Sequence, residues 1–538
     1  MDRRAFLRTT GYSGLAVALT GALAGCRTGD ADGVGTSTEA AQLPTFQAAD
    51  VATPDLVGAH EDSLPGFFAY PATPATMYAD PVVSGVSMTA LTYSFSPVVP
   101  ALSENEMWQN INDSIGAQID IIYTPQADYA SRFATTIAGG DIPDMVAINP
   151  PVQQLPAMLE STFADLSEFL SGDAILEYPS LANIPTSAWR KTMVQGRIWG
   201  LPIPRAPIGP AFFVRRDILD ERGLPTAPAD FGEFTEILRE VTDPQTNAYG
   251  SASLLDFPAY VAATLGLDNG WANDGGAFTY WMETEEYEQA LVSTRELVDE
   301  GLFHPDSISS QNTQRNEWFT NGSVPTIIAG WGGWHSFVNW GKDIDGFAVD
   351  GMLPFGYEAS IEPSHGRSLS GGFTALRAAP AERIEELLRI ADWLAAPYGT
   401  TDYLTRKFGI EGQTYDLEGT DPVSNERGTD LRLVPFAYLT DCLGPIYQPN
   451  DEEVVRARFD YQEVAIEMMG PEGNAGLYSD TESARGAQLE TLLSDARTDI
   501  LAGRAPVSTW ADAVASWRSE GGDAIRSEYE TAAQEEMA

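Results

Sequence analysis

Gly139-Gly140-Asp141-Ile142-Pro143-Asp144-Met145-Val146-Ala147-Ile148-Asn149 decides how this chain folds. Two glycines end a helix, a proline stiffens the turn, and four apolar residues follow without a polar break. Such a run, bounded by turn residues, reads as a buried strand. Upstream the same alternation repeats. Val86 to Tyr93 reads as a strand and Ser103-Glu104-Asn105-Glu106 as a capping box. Met107, Trp108, Ile111 and Ile115 then keep helical spacing until Gly116. Gln118 to Tyr123 reads as the next strand. Asp128 is suited to cap a second helix, with Tyr129, Phe133 and Ile137 on one face. Strand–helix–strand–helix–strand predicts a mostly parallel α/β sheet. Asn149 lies just past a strand end, where open α/β sheets bind ligands.

Further along, Val324-Pro325-Thr326-Ile327-Ile328-Ala329 reads as another buried strand, and Gly330-Trp331-Gly332-Gly333-Trp334 follows it. Glycine permits sharp turns and close approach, while tryptophan offers a flat apolar face and one N–H donor. A sugar ring, with an apolar C–H face and a hydroxyl rim, suits that pair. The competing reading makes both rings ordinary core. Helical patterns occupy Phe231 to Val241, Tyr287 to Val298, Ala381 to Ala395 and the region of Trp510, Val514 and Trp517. Gly196 to Arg205 reads as a short strand running into a proline-stiffened segment.

The 538 residues suffice for two or more domains. With 31 basic against 77 acidic residues the net charge is −46, which repels phosphate backbones and argues against nucleic-acid binding. Cys26 and Cys442 stand far apart, so no disulfide framework or cysteine metal site is implied. The four histidines, His60, His304, His335 and His365, form no metal motif. No Gly-x-Ser-x-Gly elbow or phosphate-binding glycine loop occurs. Acidic residues are too many for a carboxylate pair to mean anything, yet an exported glycoside hydrolase or lyase remains the alternative to a binding protein.

The N-terminus reads as an address. Asp2-Arg3-Arg4-Ala5-Phe6-Leu7-Arg8 resembles a twin-arginine export signal. An apolar stretch follows from Gly11 to Ala24, too short for a typical transmembrane helix. Leu23-Ala24-Gly25-Cys26 resembles a bacterial lipobox, which implies cleavage after residue 25 and lipidation of Cys26, with palmitate among the acyl groups. Residues 26–85 read as a lipidated tether and linker. Its later part, with Phe67, Phe68, Tyr70 and Tyr78, is expected to lie along the folded body.

Several motifs together resemble the family 1 extracellular solute-binding proteins, the capture components of ABC importers. Gly140-Asp141-Ile142-Pro143-Asp144 resembles their Gly-x-x-Pro-Asp pattern, and Gly200-Leu201-Pro202 before Phe212-Phe213-Val214 their crossover between lobes. Phe319-Thr320-Asn321-Gly322-Ser323 matches a Phe-x-x-Gly-x pattern. Arg406-Lys407-Phe408-Gly409-Ile410-Glu411-Gly412 and Ala502-Gly503-Arg504-Ala505-Pro506 resemble a LipO-like lipoprotein branch that includes alginate-oligosaccharide binders.

The resemblance implies a two-lobed, type II periplasmic-binding-protein-like α/β fold with ligand in a hinged cleft. Carried onto this chain, lobe one is 86–204 plus 355–409 and lobe two is 205–354 plus 410–538. It implies a carbohydrate ligand, an ABC permease as partner, a lipid anchor on the outer face of the cell membrane, a monomer, and no cofactor. Relatives often carry a calcium loop where this chain has Asp243-Pro244-Gln245-Thr246-Asn247-Ala248-Tyr249-Gly250, which lacks the run of oxygen ligands that calcium favours. By position, Asn149, Arg205, Phe257, Trp271, Trp331, Trp334, Phe373 and Glu411 would line the cleft. Arg205 and Glu411 are equally suited to an ion pair, and Phe257 to the core.

Overall fold

The computed structural model describes residues 40–60, 62–95, 99–149, 152, 154–368, 372–432, 434–475 and 477–537. Arg3, Arg4 and Cys26 lie outside them.

Lobe one begins with β1 (Val86–Ser94), α1 (Glu106–Ile115), β2 (Ala117–Pro125), α2 (Gln126–Gly139) and β3 (Met145–Ile148). The expected alternation is present. Asn105, rather than Ser103, caps α1: its side chain accepts the Trp108 N–H. Asp128 falls in the first turn of α2 and does not cap it, because Pro125 occupies the cap position. Gly116 and Gly140 end the two helices in the left-handed conformation that favours glycine. Asp144, the acid of the Gly-x-x-Pro-Asp stretch, accepts the Thr89 N–H and pairs with Arg377 and Arg383. Burial opposes its charge, but these partners outweigh burial and hold the carboxyl below its ordinary range. The motif therefore fastens β1 to the start of β3.

From β4 (Leu201–Pro202) the chain crosses into lobe two at β5 (Ala211–Arg215). There follow α3 (Phe231–Val241), α4 (Phe257–Thr264), α5 (Glu285–Asp299), β6 (Thr326–Ala329), α6 (Gly333–Gly341) and β7 (Val349–Met352). β5 is the middle of an antiparallel sheet ordered β6-β5-β7. Successive side chains on a strand face opposite ways. Phe212 accordingly packs with Phe234, Phe257 and Tyr260, while Phe213 packs with Trp334 and Phe337 on the other face.

The chain returns to lobe one at β8 (Phe373–Leu376), then α7 (Ala381–Leu394) and α8 (Glu426–Leu431). β8 inserts antiparallel between β3 and β4, giving the order β2-β1-β3-β8-β4. Lobe two is completed by α9 (Glu452–Met468), α10 (Asp480–Leu501) and α11 (Trp510–Trp517).

The expected partition needs two corrections. Residues 411–440 pack on lobe one, not lobe two: Asn105 Nδ2 donates to the Leu431 carbonyl, Arg427 pairs with Glu106, and Thr92 Oγ1 donates to the Tyr438 carbonyl. Gly409, expected at a crossing, is a close-approach position inside lobe one. It has φ 90°, and a Cβ there would meet Thr414 Oγ1 at 2.5 Å and Met107 Cγ at 2.8 Å. The chain leaves lobe one after Asp441 instead. Second, contact with the body starts well before Phe67, at Ala41, whose N–H donates to the Gly196 carbonyl.

Candidate ligand-binding site

Of the eight residues predicted to line the cleft, Phe257 and Trp334 are fully buried and Trp271 nearly so. Phe257 stands in α4 against Phe212 and Phe234. Trp271 packs among Tyr280, Trp517 and Tyr529. Trp334 was expected to project from a glycine turn. Gly333 instead opens α6, and the helix turns the ring inward against Phe213 and Tyr461. These three are core residues. Phe373 is also buried, in β8 opposite Ile148. Glu411 is exposed on a turn before the hairpin Tyr415–Glu418/Asp421–Ser424, and no ion pair joins it to Arg205. Asn149 is half-buried just past β3, beside Gly372.

Arg205 and Trp331 lead to the site. Arg205 is exposed in the first crossing, donates to its neighbour the Pro204 carbonyl, and lies 5.1 Å from the centre of the Tyr438 ring. Tyr438 closes a 3-10 turn, Val434–Tyr438, and stacks on Tyr93 at the end of β1. Phe95, one residue beyond that strand, touches both rings and is 51% exposed. Tyr93, Phe95, Tyr438 and Arg205 thus form a half-open aromatic wall on lobe one, at the carboxyl end of its parallel strands, where the topology of an α/β sheet places ligands.

The facing elements of lobe two carry Trp331, His335 and Arg458. Trp331 is only 5% exposed; it stacks on Tyr461 at 5.4 Å, and the Arg458 guanidinium lies 5.6 Å from its ring centre. It is therefore not the open platform expected of it. Its Nε1 is buried without an acceptor in the protein, as is Nε of Arg458. Arg458 gives one bond to the Tyr447 carbonyl, and burial lowers its pKa to about 10.

A line of positive charge joins the two walls. Arg205 and Arg432 both lower the otherwise burial-raised pKa of the Tyr438 hydroxyl. Burial, then Arg458, Arg432 and Lys407, push His335 down to about 3, so it stays neutral while bonding Gln448 and Asn339. Among the described residues no carboxylate forms an ion pair with Arg205, Arg432 or Arg458, although the Asp441 carboxylate partly offsets the burial that lowers the Arg432 pKa. Phe95, Tyr438, Arg432 and Arg458 were missed in the sequence. Only Phe95 left a signal there, standing two residues beyond the strand expected over Val86 to Tyr93.

The model for bacterial extracellular solute-binding proteins matches residues 114–398, more than half of the chain. The chain belongs to this family. This solute-binding protein is 25% identical over 467 residues to the polygalacturonan/rhamnogalacturonan-binding protein YtcQ of Bacillus subtilis, covering 83% of this chain and 90% of that one. It is 21% identical to lipoprotein LipO of the same organism, over 76% and 85% of the two chains. Among solved structures, alginate-binding protein AlgQ2 without calcium ion superposes with a TM-score of 0.61 at 14% identity, over 84% and 99%. The fold is the two-lobed type II arrangement with its cleft between hinged lobes. As a solute-binding protein of an ABC transporter it is extracellular and binds its ligand without transforming it, which sets aside the hydrolase or lyase alternative.

Proposed function

We propose that this protein is the lipid-anchored capture component of an ABC importer for an acidic oligosaccharide. The observation that carries this reading is the group Arg205, Arg432 and Arg458, none of them in an ion pair among the described residues, in a chain of net charge −46. In so acidic a chain, cations outside any ion pair make a local positive site, where a carboxylate-bearing ligand finds charge-assisted hydrogen bonds. Phe95 and Tyr438 supply the apolar face that a pyranose ring stacks upon. The names of YtcQ and AlgQ2, each a binder of a uronic-acid polymer, support the same chemistry.

Closure of the lobes brings the aromatic wall toward Arg458, and the closed protein is what the permease receives. The Arg3-Arg4 pair, the apolar stretch, Cys26 and the likeness to LipO support export and anchoring by lipid. Calorimetric titration with trigalacturonate and with maltotriose tests the ligand. We expect trigalacturonate to bind and its affinity to weaken with added salt. Equal binding of maltotriose, or salt-independent affinity, refutes the acidic class. Membrane fractionation of Cys26→Ala tests the anchor: retention like wild type refutes it.

A further inference from the structure

The chain ahead of β1 is held on both lobes. On lobe one the Thr45 N–H donates to the Gly172 carbonyl and the Ala49 N–H to Asn183 Oδ1. On lobe two the Ala59 N–H and the Ser63 hydroxyl donate to the Glu463 carboxylate, and Leu64 exchanges two bonds with the Gln462 amide. Two pieces of this segment, 46–54 and 62–67, border a cavity of about 530 Å³. Small-molecule sites usually have volumes of about 300–1,000 Å³. All three crossings contribute to its other walls: Pro202 to Pro207 from the first, Arg367 and Gly372 from the second, Leu443 and Pro445 from the third. Lobe one adds Ser187 and Lys191.

Two residues tie this cavity to the aromatic wall. Arg205 lines the cavity and also stands 5.1 Å from the centre of the Tyr438 ring. Gly372 lines it too and sits against Asn149, just past β3; a Cβ on Gly372 would meet the Asn149 Cα at 3.1 Å. The cavity therefore adjoins the carboxyl end of the lobe-one strands, as the wall does. Its chemistry repeats that of the wall. Phe46, 49% exposed, gives it an open aromatic face, and Pro54, Pro185, Pro204 and Pro445 give it an apolar lining. The cations on it are Lys191, Arg205 and Arg367, against the carboxylates of Asp62 and Glu472. Glu472 favours the charge on Lys191, which also donates to the Ser368 carbonyl. The side chains of Arg205 and Arg367 donate to the Pro204 and Gly470 carbonyls, which are uncharged acceptors. A guanidinium carries five N–H donors, so both keep donors for a ligand carboxylate.

We propose that this cavity extends the ligand site, and that a longer acidic oligosaccharide places there the sugar units that run past Arg205. The proposal rests on the reading of the aromatic wall as the site of an acidic oligosaccharide. Arg205 is the contact that the two regions share. Residues 46–67, which precede the first strand of lobe one, become part of the binding surface. The protein then selects for the length of the sugar chain as well as for its charge.

Calorimetric titration with trigalacturonate and hexagalacturonate tests this. The hexamer should bind the wild-type protein about tenfold tighter than the trimer or better, more than the few-fold gain that extra binding registers supply. Ser187→Trp, at an exposed position on the cavity wall, places a ring in the cavity. Phe46→Ala removes the aromatic face at a half-exposed position and serves where the larger substitution does not fold. Each should abolish most of the hexamer's advantage, with trimer affinity and melting temperature close to wild type. Equal binding of the two oligomers by the wild-type protein overturns the extension and leaves the wall as the site. So does an advantage that survives Phe46→Ala and Ser187→Trp, or a loss that falls equally on trimer and hexamer. Failure of both oligomers to bind refutes the acidic ligand itself, and the extension with it.

Discussion

Two groups of cations, Arg406 with Lys407 and Arg205 with Arg432 and Arg458, differ in one respect. Arg406 and Lys407 share Asp441, all three being largely or fully withdrawn from water. Burial opposes the Asp441 charge, but the two cations outweigh it and hold the carboxyl well below its ordinary range. Arg205 and Arg458 have no such acid, and Arg432 feels Asp441 without forming an ion pair to it. A buried charge with a partner is part of the fold, and removing the partner is costly. Of the three only Arg458 is buried, and a buried charge without a partner costs the free protein stability. On the proposed function, an internal counter-ion is what separates the structural cations from those left for ligand.

The largest expected effect falls on the paired group. Asp441→Ala strands Arg406 and Lys407 and should cost about 3–5 kcal/mol of stability, read by denaturant unfolding. Trp334→Ala should cost about as much, about 3–5 kcal/mol, because that ring fills the core behind β5. Affinity measured on either protein while still folded should be unchanged. Arg458→Met should behave oppositely. The melting temperature should hold or rise, because an unpaired charge has been replaced by an apolar chain. Trigalacturonate affinity should fall by about 10-fold or more, the equivalent of a charge-assisted hydrogen bond. If Arg458→Met unfolds the protein as Asp441→Ala does, the distinction between the two groups fails.

Phe95→Ala should lower affinity by about fivefold with stability changed by less than about 0.5 kcal/mol, since the ring is half in water. A separate effect is a pH dependence of stability. His335 is held at about 3 and His365, buried, at about 4, against an ordinary value near 6.5. Below about pH 6.5 the unfolded chain takes up protons that the native state refuses, so stability falls as pH drops toward 4 and is flat above 7. Thermal melts across that range check the sign. A melting temperature that rises on acidification shows that these histidines become charged in the native protein.

Much of the scaffold was legible in the sequence because periodicity reports burial. The run Met145–Ile148 and the spacing of Met107, Trp108, Ile111 and Ile115 each gave an element that the structure contains. The site was less legible, for a physical reason. Trp271, Trp334 and Phe257 carry the residue chemistry of a sugar platform, but whether a ring faces a cleft or a core depends on the tertiary neighbours of its helix. Trp334 shows this: it is the second residue of α6, and its ring packs against Phe213 and Tyr461 rather than toward the cleft. Tyr438 and Arg432 sit in irregular backbone that no periodicity marks, and they reach the cleft only because residues 411–440 return to lobe one. The break at Gly409 was misplaced because a glycine that permits close packing looks like one that permits bending.

The insertion of β8 between β3 and β4 has a consequence for how the molecule is made. β3 ends at Ile148 and β8 begins at Phe373, with the first part of lobe two between them. A nascent chain that has emerged as far as residue 202 holds four of the five strands of the first sheet, with no hydrogen-bonded neighbour for β4 and one open edge on β3. Those edges stay open until some 170 further residues have been synthesised, about 10–30 s at usual elongation rates. Neither lobe reaches its native core while the ribosome still holds the chain's last third. An exposed strand edge recruits other chains, so the interval between β4 and β8 is where misassembly competes with folding. Pulse proteolysis of ribosome-bound chains halted before residue 376 and of released full-length chains should find lobe one protected only in the latter.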